Sequence, residues 1–90
     1  EARHEALLAK RWYDNNSAGL GQEFLGELRM ALRAIATWPY AWPTGTDGFH
    51  RFMIHRFPYA VIYRPSQDQV IIMAVAHIKR KPNYWKGRSA

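Results

Sequence analysis

Apolar residues recur at helical spacing up to Trp38, and from Phe49 onward the period drops to two. Ala2, Ala6, Ala9 and Tyr13 follow one another at intervals of 4, 3 and 4, with Leu8 and Trp12 as an i,i+4 pair beside them. Side chains three and four apart share one helix face, so this spacing predicts a helix over 1–13. Asp14-Asn15-Asn16-Ser17 is expected to end it, because short polar side chains compete for backbone hydrogen bonds. Phe24, Leu25, Leu28, Leu32 and Ile35 form a second stripe, widened by Ala31 and Trp38. It predicts a helix over 18–37, capped by Ser17 and ended by Pro39.

A connector rich in Trp, Pro, Gly and Thr follows over 38–48. Alternation then predicts a strand over 49–55, with Phe52 and Ile54 on one face. A second is predicted over 57–63, with Phe57, Tyr59, Val61 and Tyr63 on one face and Ala60 and Ile62 on the other. Pro58 restricts its start to an edge or a bulge. Residues 64–68 read as a hairpin turn. The third strand, 70–76, is apolar at every position, which predicts a central strand covered on both faces. A basic tail carrying Tyr84 and Trp85 closes the chain, and Pro82 is placed to open a short helix there. The order predicts an α+β, two-layer domain: a helical hairpin packed on an antiparallel β-meander. The second sheet face is expected to stay more open, as a place for a binding groove.

The chain has 90 residues. That suits a single domain over 1–90, since a chain of this size hides only about 60% of its extended surface. Cysteine is absent, which removes disulfides, thiolate metal sites and thiol nucleophiles and fits a cytoplasmic setting. No apolar stretch approaches the ~18–20 residues of a membrane span, and no membrane partner is expected. Thirteen Lys and Arg against seven Asp and Glu give a formal charge of +6, which points to an acidic partner.

The four histidines, His4, His50, His55 and His77, lack the spacing of a zinc site, and no metal or cofactor is expected. There is no glycine-rich phosphate loop and no paired-carboxylate site. What remains is basic and aromatic. Arg56, Arg64, His77, Arg80 and Tyr84 are candidate catalytic residues for RNA cleavage through the 2′-hydroxyl, which needs a base, a cation for the phosphorane and an acid, but no metal. The competing reading makes the strand arginines solvated ends and Trp85 a plug of the core.

Three segments carry a family resemblance: Arg56-Phe57-Pro58-Tyr59-Ala60-Val61-Ile62-Tyr63, then Val70-Ile71-Ile72-Met73-Ala74-Val75-Ala76-His77, then Arg80-Lys81-Pro82-Asn83-Tyr84-Trp85. With Phe24-Leu25-x-x-Leu28 and Trp38-Pro39, they resemble the RelE/ParE toxin superfamily, nearest its ParE (plasmid stabilisation) branch. The resemblance implies the toxin half of a bacterial type II toxin–antitoxin module, neutralised within a hetero-oligomer by a cognate antitoxin. It implies DNA gyrase as target, without enzymatic chemistry. The alternatives are ribosome-dependent mRNA cleavage of the RelE type and an inactive homologue that binds antitoxin and tunes its operon. Arg80, Lys81, Tyr84 and Trp85 are the expected target-binding residues; Leu8, Trp12, Phe24 and Leu28 are expected to meet the antitoxin. Family members carry a strand ahead of the first helix. This chain opens in helix, which predicts one unpaired sheet edge.

Overall fold

In the computed structural model, which describes residues 1–88, the chain forms α1 (Ala2–Asn16), α2 (Leu20–Thr37), β1 (His50–Met53), β2 (Tyr59–Ser66) and β3 (Gln69–His77) in that order. The stripe of α1 turns Ala6, Ala9 and Tyr13 inward, and α2 buries Gly21, Phe24, Leu28, Ala31 and Ile35. The polar run that was expected to break α1 completes it instead. Asn16 donates its amide to the Trp12 carbonyl at 2.7 Å, and Asp14 pairs with Lys10 at 3.0 Å. Ser17 is the C-cap of α1, while Gly19, in the left-handed region at φ 84°, stands at the N-cap of α2. The capping role expected of Ser17 falls to Asp14, whose carboxylate accepts the Gly21 N–H at 2.7 Å. Trp38, expected on the buried stripe, is 66% exposed beyond the helix end.

The three strands form an antiparallel sheet in the order β1-β2-β3. Phe52 pairs with Val61, and Val61 with Val75. Ile62 lies opposite Ala74 but Tyr63 opposite Ile72, so Met73 is a bulged residue. β2 runs past Pro65 to Ser66, leaving a two-residue turn at Gln67 and Asp68. The all-apolar strand β3 is an edge strand and β2 is central, the reverse of the expectation for β3. Its composition follows from its faces. Val75 joins Tyr13, Phe24, Leu28, Val61 and Tyr63 in the cluster beneath the helices. Met73, Ala74 and Ala76 join Ala60, Ile62 and Trp85 in a second cluster on the far side.

That far side is therefore covered, not open. The tail folds over it as successive turns, Lys81–Tyr84, Asn83–Lys86 and Trp85–Arg88, with Asn83 left-handed at φ 63° in place of a helix after Pro82. The outer edge of β1 is closed by the connector, where the Arg51 N–H meets the Pro43 carbonyl at 3.0 Å. Among the described residues no strand lies beyond β3. No helix among them is long and apolar enough to cross a membrane.

Candidate functional site

β3 ends at His77: the Ile78 N–H bonds across to Pro58 O at 2.9 Å, and a turn bond from the Arg80 N–H to His77 O at 2.9 Å reverses the chain. The reversal leaves a cleft of about 650 Å³ between α1, the end of the sheet and the tail. One wall is apolar and exposed: Leu8 at 48% and Trp12 at 59%. The other carries His77, Arg80 and Tyr84. The Arg80 guanidinium stands 3.9 Å from the centre of the Tyr84 ring, a cation held over an aromatic face. His77 packs edge-on against Tyr59 and accepts the Lys79 N–H at its Nδ1 at 3.1 Å.

Glu5, in the first turn of α1, closes the floor. Its Oε1 accepts the Val75 N–H at 3.0 Å and Arg88 Nη1 at 2.9 Å; its Oε2 accepts the Tyr84 hydroxyl and Arg88 Nη2, the latter at 3.0 Å. Arg88 Nη1 also donates to the Met73 carbonyl at 3.0 Å. Val75 N–H and Met73 C=O flank Ala74 on the unpaired edge of β3. An acceptor on one and a donor on the other is what a single residue of a parallel neighbouring strand supplies. Here one carboxylate and one guanidinium supply it.

This geometry sets the titration of the group. Burial pushes the Glu5 carboxyl up, but the hydrogen bonds from Arg88, Tyr84 and Val75 outweigh it and hold the group below its ordinary value. The Tyr84 hydroxyl is pushed up to about 12 by burial and by the neighbouring Glu5 carboxylate. A second anchor sits at Asp47. Its carboxylate accepts the Phe49 N–H at 3.0 Å and pairs with Lys86 at 3.2 Å and Arg51 at 3.3 Å. The Phe49 bond is the largest influence on it, and with the two cations it lowers Asp47 to about 2 against its own desolvation.

Of the five candidates for RNA cleavage, His77, Arg80 and Tyr84 share the cleft. Arg56 lies in the β1–β2 turn, left-handed at φ 78°, with its guanidinium on Glu23 at 2.6 Å. Arg64 lies opposite Ile71, five residues along β2 from Tyr59, or about 16 Å at ~3.3 Å per residue. Lys81 is exposed, whereas Trp85 is 3% exposed in the second cluster, with Arg51 over its ring. Leu8 and Trp12 face the cleft; Phe24 and Leu28 lie in the core beneath the hairpin. The sequence reading passed over Glu5 and Arg88 as site residues. A signal for Glu5 existed: it adjoins Ala6 and sits between Ala2 and Ala9 of the buried stripe, so a carboxylate there needs a partner.

The arrangement can grip an anionic or ring-bearing surface, and it keeps the Tyr84 hydroxyl protonated at neutral pH. No curated protein and no solved structure matches the chain. A family model described as "ParE toxin of type II toxin-antitoxin system, parDE" matches residues 1–82. The match spans both helices, the whole sheet and the turn that carries Arg80. The chain therefore belongs to the ParE family of type II toxins, a membership that implies an antitoxin partner.

Proposed function

We propose that this toxin acts by holding DNA gyrase, with Arg80, Lys81 and Tyr84 as the gripping surface and Trp85 as the plug that anchors it to the sheet. The state of Tyr84 carries the reading. Its hydroxyl is already committed as a donor to Glu5, and burial and that carboxylate push it up to about 12, so it keeps its proton at neutral pH and is not available as a base. Arg56 and Arg64 stand apart from the cleft, which leaves an incomplete set for phosphate chemistry. A stacked, exposed cation over a fixed ring suits binding better than proton transfer.

The antitoxin is read as resting on the outer face of the helical hairpin and in the mouth of the cleft. Leu8 and Trp12 offer it exposed apolar area, and Phe24 and Leu28 support that face from below. An acidic or amphipathic antitoxin segment offsets part of the +6 charge, so association weakens as salt rises.

The test is a supercoiling assay with purified toxin and gyrase. Loss of supercoiling or trapped cleaved DNA is the expected result, and unaffected gyrase at high toxin excess overturns the reading. Ribosome-dependent mRNA cleavage draws support from the convergence of His77, Arg80 and Tyr84. Primer extension on translated mRNA separates it: new ends that disappear in His77→Ala would favour cleavage over gyrase. Normal growth on expression without antitoxin would favour the inactive homologue.

A further inference from the structure

We infer that Glu5 is the positioning residue of the gripping tail: one carboxylate on the first turn of α1 fixes where Tyr84 stands, and through Tyr84 where Arg80 stands. The inference rests on the tail being the surface that meets the target.

The tail has little of its own to hold it in place. Its backbone bonds over 80–88 are turn bonds three residues apart, without a helix or strand ladder. Three side-chain anchors supply the rest. Trp85 sits in the apolar cluster and fixes the tail against the sheet, and Lys86 ties it to Asp47. Neither sets the direction in which the neighbouring Tyr84 projects. Glu5 does, by accepting the Tyr84 hydroxyl and both terminal nitrogens of Arg88.

Charge explains why a carboxylate is needed there. The Tyr84 ring has two guanidinium groups near it, Arg80 at 3.9 Å and Arg88 at 5.1 Å. Arg88 is largely buried, with 15% of its side chain exposed. The other carboxylate that reaches it is Glu1, at 3.3 Å and 68% exposed, where water screens the pair. Without the Glu5 charge, Arg88 is a buried cation short of its partner. With one acceptor oxygen in place of two, the Val75 N–H, the Tyr84 hydroxyl and the Arg88 guanidinium can no longer all be satisfied. The tail's lowest-cost response is to swing outward, taking Tyr84 and the stacked Arg80 with it. Glu5 does not touch Arg80; it acts through the ring.

Hydrogen–deuterium exchange on the full chain, read beside gyrase supercoiling, tests this. In Glu5→Gln the amides of 78–88 should exchange faster by about tenfold or more, the size of losing a charge-assisted hydrogen bond. Exchange in α2 and β2 should hold, and the toxin concentration for half-inhibition should rise. Arg88→Lys keeps the charge without the two-pronged contact and should fall between wild type and Glu5→Gln. Wild-type exchange in the tail of Glu5→Gln overturns the inference. So does faster exchange spread evenly over α2 and β2, which marks a general structural role, or a loosened tail with undiminished inhibition. Should Glu5→Gln fail to fold, Arg88→Gln and Tyr84→Phe, which leave α1 intact, carry the same comparison and the same overturning results. If the wild-type toxin leaves gyrase untouched, the target reading fails while the exchange data still decide the role of Glu5.

Discussion

The Asp14 carboxylate accepts the Gly21 amide hydrogen at 2.7 Å, so the second helix of the hairpin is capped by a side chain of the first. The contact is close enough to dictate the residue. A Cβ added at Gly21 would lie 2.5 Å from the Lys10 carbonyl oxygen, which is backbone and cannot step aside. Gly21→Ala should therefore destabilise the fold by about 1–3 kcal/mol through overpacking. Chemical denaturation checks it. An unchanged midpoint would mean that the helices part at no cost.

Core and surface of the helical hairpin should separate cleanly. Phe24 is fully buried against Tyr13, Phe57 and Tyr59, and Phe24→Ala should cost about 3–5 kcal/mol. Trp12 is 59% exposed, and Trp12→Ala should stay within about 0.5 kcal/mol of wild type. Its cost should appear in antitoxin binding, read as weaker rescue of growth by co-expressed antitoxin.

The tail should come away in acid ahead of the rest. Glu5 and Asp47 both have folded-state values below their unfolded ones. Each therefore contributes stability above the unfolded value and loses it as pH falls through the folded one. For Asp47 that window runs from 3.8 down to about 2; for Glu5 it opens at 4.5 and extends lower. Tail amides monitored by NMR between pH 6 and pH 2 (roughly the carboxylate range) should lose their dispersion before those of β2. Simultaneous loss everywhere would remove the tail's separate anchorage.

Trp85→Ala empties the cluster formed with Ala60, Ile62, Ala74 and Ala76, and should cost about 3–5 kcal/mol by thermal or chemical unfolding. Trp85→Phe should recover part of that, because an aromatic ring at 85 still meets Phe49 edge-on, as the indole does at 4.7 Å.

Arg80→Ala and Arg56→Ala should differ in growth inhibition. Arg80 is exposed at the cleft, and its loss should abolish most toxicity while leaving the melting temperature unchanged. Arg56 faces Glu23 across the surface, and its loss should leave toxicity intact. Equal effects would count against the division made between them.

The helices and the meander were legible because periodicity reports burial, and burial is what holds them. Phe24, Leu28 and Ile35 announce one face of α2, and Phe57, Val61 and Tyr63 one face of β2. The same rule misplaced β3. Seven apolar residues in a row report two covered faces and say nothing about edges, and the second cover was a tail of turns around one buried tryptophan. Asp14 reads as a helix breaker because its acceptor capacity is visible in sequence and its partner, Gly21, is not. For Glu5 the burial was legible from its place beside Ala6, but the partners were not. Its partners Tyr84 and Arg88 lie 79 and 83 residues away, and nothing local marks them.

A nine-residue strand without a single charged side chain, ending a sheet, is the shape that recruits copies of itself into stacks. In this toxin a stopper of one acid and one base blocks two consecutive docking points on that rim, Met73 and Val75. Low pH or a substitution at either residue would uncover those two points to a neighbouring strand. The pair that ties the tail down thus also covers the rim of the sheet.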